Sequence, residues 1–119
     1  FDVQPWSTIP DTCLRTEDFA DGRFQQIVAD LSCAEAAEEH RDLLRSATLI
    51  FADGPKDGKF EPRFAKLLDT IDFESPPYVV FDDIKDWNML AFWRELTFPK
   101  LDLTSFGHWT GTGLVRWER

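Results

Sequence analysis

The sequence predicts an α/β fold with a largely parallel sheet, and three observations carry that reading. Two short apolar runs, Ala-Thr-Leu-Ile-Phe-Ala-Asp and Tyr-Val-Val-Phe-Asp-Asp, are β-branched or aromatic and bounded by turn residues, as buried strands are. Stretches with helical spacing of apolar residues lie between and beside them. The chain then ends in two short runs around a glycine-containing turn, the pattern of an antiparallel hairpin. Strands alternating with helices and closed by a hairpin make an α/β layer arrangement.

The elements follow in order. Phe1 to Gly22 holds Pro5, Pro10, Asp11, Asp18 and Asp21 without a sustained period, and reads as a long loop preceded by the end of a strand at Phe1-Asp2-Val3. Phe24 to Ala29 reads as a strand ending at Asp30. Ser32 stands three residues before Glu35, a capping-box spacing that satisfies the first backbone donors of a helix. Ala34, Ala37, Leu43 and Leu44 give that helix one apolar face through Arg45, with His40 on the polar side. The strand Thr48 to Asp53 comes next. After the charged loop Gly54 to Lys59, the residues Phe60, Phe64, Leu67, Leu68 and Ile71 form an apolar helical stripe, with Pro62 tolerable in its first turn. Pro76-Pro77 ends that unit, and Tyr78 to Phe81 is the following strand. From Ile84 to Leu96 the apolar residues, Trp87, Met89, Phe92 and Trp93 among them, surround a helix, which predicts burial on more than one side, either under a partner chain or as the wall of a substrate pocket. Leu101 to Ser105 and Thr112 to Trp117 form the hairpin around Gly107 to Gly111.

Bulk properties bound the function. The 119 residues amount to one domain, 1–119, and a composition 43% hydrophobic and 14% aromatic is that of a folded globular chain. A net charge of −9 excludes nucleic-acid partners, whose phosphates need a basic surface. No run reaches membrane-spanning length and no secretory signal is visible, so no membrane partner and a cytoplasmic location are expected. The chain begins at Phe1, which reads as a processed form, an edited form or a fragment. Cys13 and Cys33 read as reduced thiols, a single bridge between them being the alternative. There is no Cys/His metal spacing, P-loop or Gly-x-Gly-x-x-Gly fingerprint.

Chemistry concentrates where the two central strands end. If they lie parallel and adjacent, Asp53, Asp82 and Asp83 converge on the edge where open α/β sheets hold ligands. Three gathered carboxylates repel one another unless a cation, a proton or a basic group compensates them. They are candidate ligands of Mg²⁺ or a similar divalent cation, which favours oxygen donors. The alternative is capping: Asp53 on the Gly54-Pro55 turn and Asp82 on the next helix. Lys56 is a candidate base if burial lowers its pKa, and otherwise a solvated loop lysine. His108, in the hairpin turn, is a second candidate base if the turn reaches the same edge. Trp87, Phe92 and Trp93 read as core or as anchors of a homodimer, with core favoured for Trp93.

With its motifs in this order, the chain resembles the C-terminal two-thirds of class I S-adenosylmethionine-dependent methyltransferases, closest to the metal-dependent O-methyltransferases of the catechol-type and macrolide-sugar branches. The resemblance runs from about Phe24 to Arg119 and implies a three-layer Rossmann-like fold. That family places an Asp after its fourth strand and an Asp pair after its fifth, positions taken by Asp53 and by Asp82 and Asp83. It also implies that Lys56, three residues after Asp53, is the catalytic base; Asp57 matches the sugar-branch acid loosely. Asp2 corresponds to the acid that grips the cofactor ribose and Asp30 to the residue near adenine, with Asp53 lying at both the cofactor and the metal. The family's first strand and glycine-rich loop have no counterpart here. The implied function is methyl transfer from S-adenosylmethionine to an oxygen of a small-molecule acceptor, with Mg²⁺ as the second cofactor. The alternative is a non-catalytic, truncated module that self-associates or binds a protein partner. A metal-dependent hydrolase is a third reading, but nothing marks a nucleophile.

Overall fold

Val79, Phe81 and Val115 are fully shielded from solvent, and they mark the centre of a four-stranded sheet in the computed structural model, which describes residues 1–118. The strands are β1 (Leu49–Ala52), β2 (Tyr78–Asp82), β3 (Lys100–Asp102) and β4 (Thr112–Arg116), in the spatial order β1-β2-β4-β3. The helices are α1 (Ala34–Glu39), α2 (Arg41–Arg45), α3 (Phe60–Leu68) and α4 (Trp87–Glu95). Contacts gather the chain into two units, Phe1–Glu39 and His40–Arg119, and the sheet belongs to the second.

The class is α/β, but the sheet is mixed where a largely parallel one was expected. β1 and β2 pair in parallel, and β4 pairs antiparallel with both β2 and β3. It follows that β1, β2 and β3 share one direction. The last strand, inserted between β2 and β3, turns two of the three pairings antiparallel. The expected terminal hairpin is present, with the short 3₁₀ turn Thr104–Phe106 between its strands.

Alternation along β2 and β4 gives the sheet two unlike faces. Val79, Phe81 and Val115 point to the face that carries the core. α3 contributes Phe64, Ala65 and Leu68 to the buried set, and α4 contributes Met89, Phe92 and Trp93. Phe92 meets Phe81 edge-on at 5.1 Å, and Trp117 stacks on Phe98 at 4.3 Å. Gly113 lets β4 pass beneath Trp93, because a Cβ there would stand 2.5 Å from the indole ring. The opposite face pairs Leu49 with Tyr78, Phe51 with Val80 and Leu114 with Leu101; Leu49, Phe51, Tyr78 and Leu101 are all exposed.

α4 is not buried all round. Its Met89, Phe92 and Trp93 face inward while Trp87 is 89% exposed, so its apolar circumference is only partly covered. Asp86 caps it, accepting the Trp87 N–H at 2.6 Å. That is the capping role the sequence offered to Asp82.

The N-terminal unit contains two 3₁₀ turns, Trp6–Thr8 and Thr16–Phe19, with Phe19 stacked on Trp6 at 5.2 Å. Phe24 to Ala29 is not a strand: it makes one parallel bridge, Val28 with Asp2. The Asp2 N–H donates to the Ile27 carbonyl and the Ala29 N–H to the Asp2 carbonyl, and a run with one bridge does not extend into a ladder. The helix expected from Ser32 to Arg45 divides at His40 into α1 and α2. Cys13 and Cys33 are free and exposed. Among the described residues no helix is long and apolar enough to cross a membrane.

Candidate functional site

Parallel register sets the site. Ala52 lies beside Phe81, so the residues that follow, Asp53 and Asp82, leave the sheet at the same edge. β2 runs on to Asp82, and Asp83 then turns the chain with a φ of 56°. Aspartate tolerates this left-handed region better than most residues. The turn is tied to the β3–β4 loop by the Ile84 N–H on the Gly111 carbonyl (3.2 Å) and the Lys85 N–H on the Thr110 carbonyl (2.7 Å). His108 and Thr110 are thereby brought to the acids.

After Asp53 the chain turns through Gly54 and Pro55 to Lys56, whose φ is 54°. Lysine pays a steric penalty there, so neighbouring contacts must hold it. The Lys56 N–H donates to Glu61 Oε1 at 3.1 Å, and its carbonyl accepts from Asn88 Nδ2 at 3.1 Å. Gly54 has no side chain to spare: a Cβ would lie 2.4 Å from the Phe60 ring and 2.8 Å from Glu61 Oε1.

The turn folds the Lys56 side chain back among the carboxylates. Its ammonium bonds Asp53 and lies 3.4 Å from Asp83 Oδ2 and 3.8 Å from Asp82 Oδ2, with the side chain only 13% exposed. This is not a solvated loop lysine. Burial works to lower its pKa, but the bond to Asp53 and the charges of Asp53, Asp83 and Asp82 outweigh it, and the net shift is upward. Of the three ways to compensate the acids, the fold supplies a basic group.

His108 comes from the hairpin and reaches the same acids. Its Nε2 is 2.9 Å from Asp82 Oδ1, and its Nδ1 is 2.5 Å from Thr110 Oγ1 and 3.7 Å from Asp83 Oδ1. Thr110 donates its hydroxyl proton to Asp83, so its oxygen accepts from Nδ1–H. That bond fixes the ring and leaves Nε2 facing Asp82. The Thr110 bond also holds the Asp83 pKa down, against the opposing effect of burial and with help from Lys56 and His108.

Ligand atoms of Asp82, Asp83 and His108 lie within 4.8 Å of one another, close enough to share a metal ion. Two cis ligands, each ~2.1 Å from an octahedral cation, stand ~3 Å apart. The 2.9 Å between Nε2 and Asp82 Oδ1 is compatible with that spacing and is equally the length of a hydrogen bond between the two. Asp53 is not in this triad; its carboxylate bonds Lys56.

No protein-family model, curated protein or solved structure matches this chain. The cluster is therefore judged on its own geometry.

Five predicted site residues, Asp53, Lys56, Asp82, Asp83 and His108, meet at one sheet edge. Asp2 and Asp30 belong to the N-terminal unit, where their carboxylates accept the N–H groups of Gln4 (3.3 Å) and Ser32 (2.8 Å). Asp57 accepts the N–H groups of Lys59 and Phe60 at the entrance to α3, which lowers its pKa. Sequence reasoning missed Glu61 and Thr110. Glu61 was detectable in principle, since it shares a helical face with Ala65 and Leu68 at i+4 and i+7. A lone threonine in a hairpin turn carries no comparable signal.

Proposed function

We propose that the Asp53/Lys56/Asp82/Asp83/His108 edge is the acceptor side of an O-methyltransferase site that uses S-adenosylmethionine and a divalent cation. The observation that carries the reading is the convergence of the acids ending two adjacent parallel strands with a histidine from the terminal hairpin. The parallel strand–helix–strand unit followed by that hairpin is the part of a Rossmann-like layout this reading uses; the exposed Leu49, Phe51, Tyr78 and Leu101 face is where the third layer of that arrangement would pack.

In this reading Asp82, Asp83 and His108 hold the cation, and Thr110 orients the imidazole as outer-shell partners of metal-bound histidines do. When bound, the cation makes an acceptor hydroxyl more acidic and S-adenosylmethionine supplies an electrophilic methyl group. The mixed oxygen and nitrogen donors suit Mg²⁺ less well than Mn²⁺ or a related ion. Lys56, with its pKa raised, keeps its proton and acts as a fixed counter-charge to the acids. This replaces the base role implied by the resemblance. The resemblance gives Asp2 and Asp30 to the cofactor's ribose and adenine, and in this chain both lie in the N-terminal unit. Phe106 and Trp109, on the β3–β4 loop that also carries His108, are 89% and 88% exposed. Uncovered rings there favour an organic acceptor with an apolar body.

Calorimetric titration with S-adenosylmethionine, with and without Mg²⁺ or Mn²⁺, tests the proposal. Saturable binding that the cation strengthens is the expected result; absence of binding at millimolar cofactor overturns it. A second reading, a partner-binding or self-associating module, rests on one observation: the exposed Leu49, Phe51, Tyr78 and Leu101 on a single sheet face.

A further inference from the structure

Among the described residues Glu61 is the one charged residue with a fully buried side chain, and nothing in the proposed chemistry uses it. It stands in the first turn of α3, with Oε1 on the Lys56 N–H and Oε2 without a hydrogen-bond partner among the described residues. Burying a carboxyl with one oxygen unmatched is unfavourable, so packing alone does not explain it. Its single bond goes to a residue in the left-handed region, five positions earlier. The neighbouring Gly54 leaves space for its Oε1, and Asn88 of α4 holds the other side of the same residue through the Lys56 carbonyl.

We infer that Glu61 is a positioning residue: its buried carboxyl holds the left-handed Lys56 turn, and so keeps the Lys56 ammonium among Asp53, Asp82 and Asp83. The assignment deepens the reading of that edge as the functional site, and rests on it for its purpose. An ammonium fixed 3.4–3.8 Å from two acids of the triad lowers the negative charge a cation meets. Glu61 thus sets, through Lys56, how strongly the triad attracts a divalent ion.

The test is competitive acetylation of the intact chain with trace acetic anhydride, read site by site by mass spectrometry. Lys59, exposed on the same loop, is the internal standard. In the wild type, Lys56 should react about tenfold more slowly than Lys59, as a charge-assisted bond in a shielded site requires. Glu61→Gln keeps an acceptor oxygen and should preserve that protection. Glu61→Ala should bring Lys56 close to the Lys59 rate while circular dichroism remains native. If Glu61→Ala does not fold, Asn88→Ala at an exposed position carries the test, and should also accelerate Lys56. Equal rates for Lys56 and Lys59 in the wild type overturn the inference, as does unchanged protection in the folded alanine variants. The labelling needs no metal, so its failure is distinct from a failure to bind Mn²⁺, which would strike the site reading instead.

Discussion

Lys56 and Thr110 give the acid cluster opposite dependences on pH. Thr110 donates to Asp83 and lowers its pKa, so that bond contributes stability above the unfolded aspartate value of ~3.9, lost as pH falls through the lower folded value. Asp102 behaves likewise: its bonds to Lys85 and Thr104 bring it down to about 2. Lys56 has a raised pKa, so its contribution is complete below the unfolded lysine value of ~10.4 and is lost only as pH rises beyond it. Thr110→Val should therefore weaken the protein at neutral pH and flatten its loss of stability below ~4, as read from urea midpoints across a pH series. A variant whose stability falls in parallel with the wild type throughout the acid range would remove the Thr110–Asp83 bond from the account. Asp53, Asp82 and Asp83 were legible in the sequence because each ends a short apolar run at a turn. The state of Lys56 was not, since its burial depends on a backbone bend and on a glutamate five residues later.

At the scale of elements, close approach decides more than propensity. β4 fits under α4 because Gly113 has no side chain against Trp93. Gly113→Ala should cost about 1–3 kcal/mol in unfolding free energy by forcing that ring or the strand to shift. A loss below a few tenths of a kcal/mol would show that the contact yields freely. The central elements, β1, β2, α3 and the hairpin, were legible because period and turn residues agree there. Phe24 to Ala29 has the composition of a strand, but pairing partners are not written in a strand's own residues, and it finds only Asp2. For α4 the apolar residues around the helix say what could be buried, and within this chain the neighbouring elements cover the side of Met89, Phe92 and Trp93 and leave Trp87 exposed.

At the scale of the whole molecule, the sheet separates a packed face from an open one. Phe81 is fully buried, whereas Phe51, on β1 and the other face, is 62% exposed. Phe81→Ala should cost ~3–5 kcal/mol. Phe51→Ser should stay within ~0.5 kcal/mol for the isolated chain. Comparable losses from both, measured by chemical denaturation, would mean that something covers the open face in solution and would favour the partner-binding reading. At the site edge, acids that end β1 and β2 meet one internal ammonium and a histidine. Neither strand makes that edge alone; parallel pairing and the returning hairpin do.

The central claim is that Asp82, Asp83 and His108 form one cation site. Titration with Mn²⁺, counting free ion by electron paramagnetic resonance, measures it directly. The account predicts one saturable site in the wild type, lost in the double variant Asp82→Ala/Asp83→Ala while circular dichroism remains native. Equal Mn²⁺ binding by the wild type and a folded double variant, or no saturable binding by either, would contradict it.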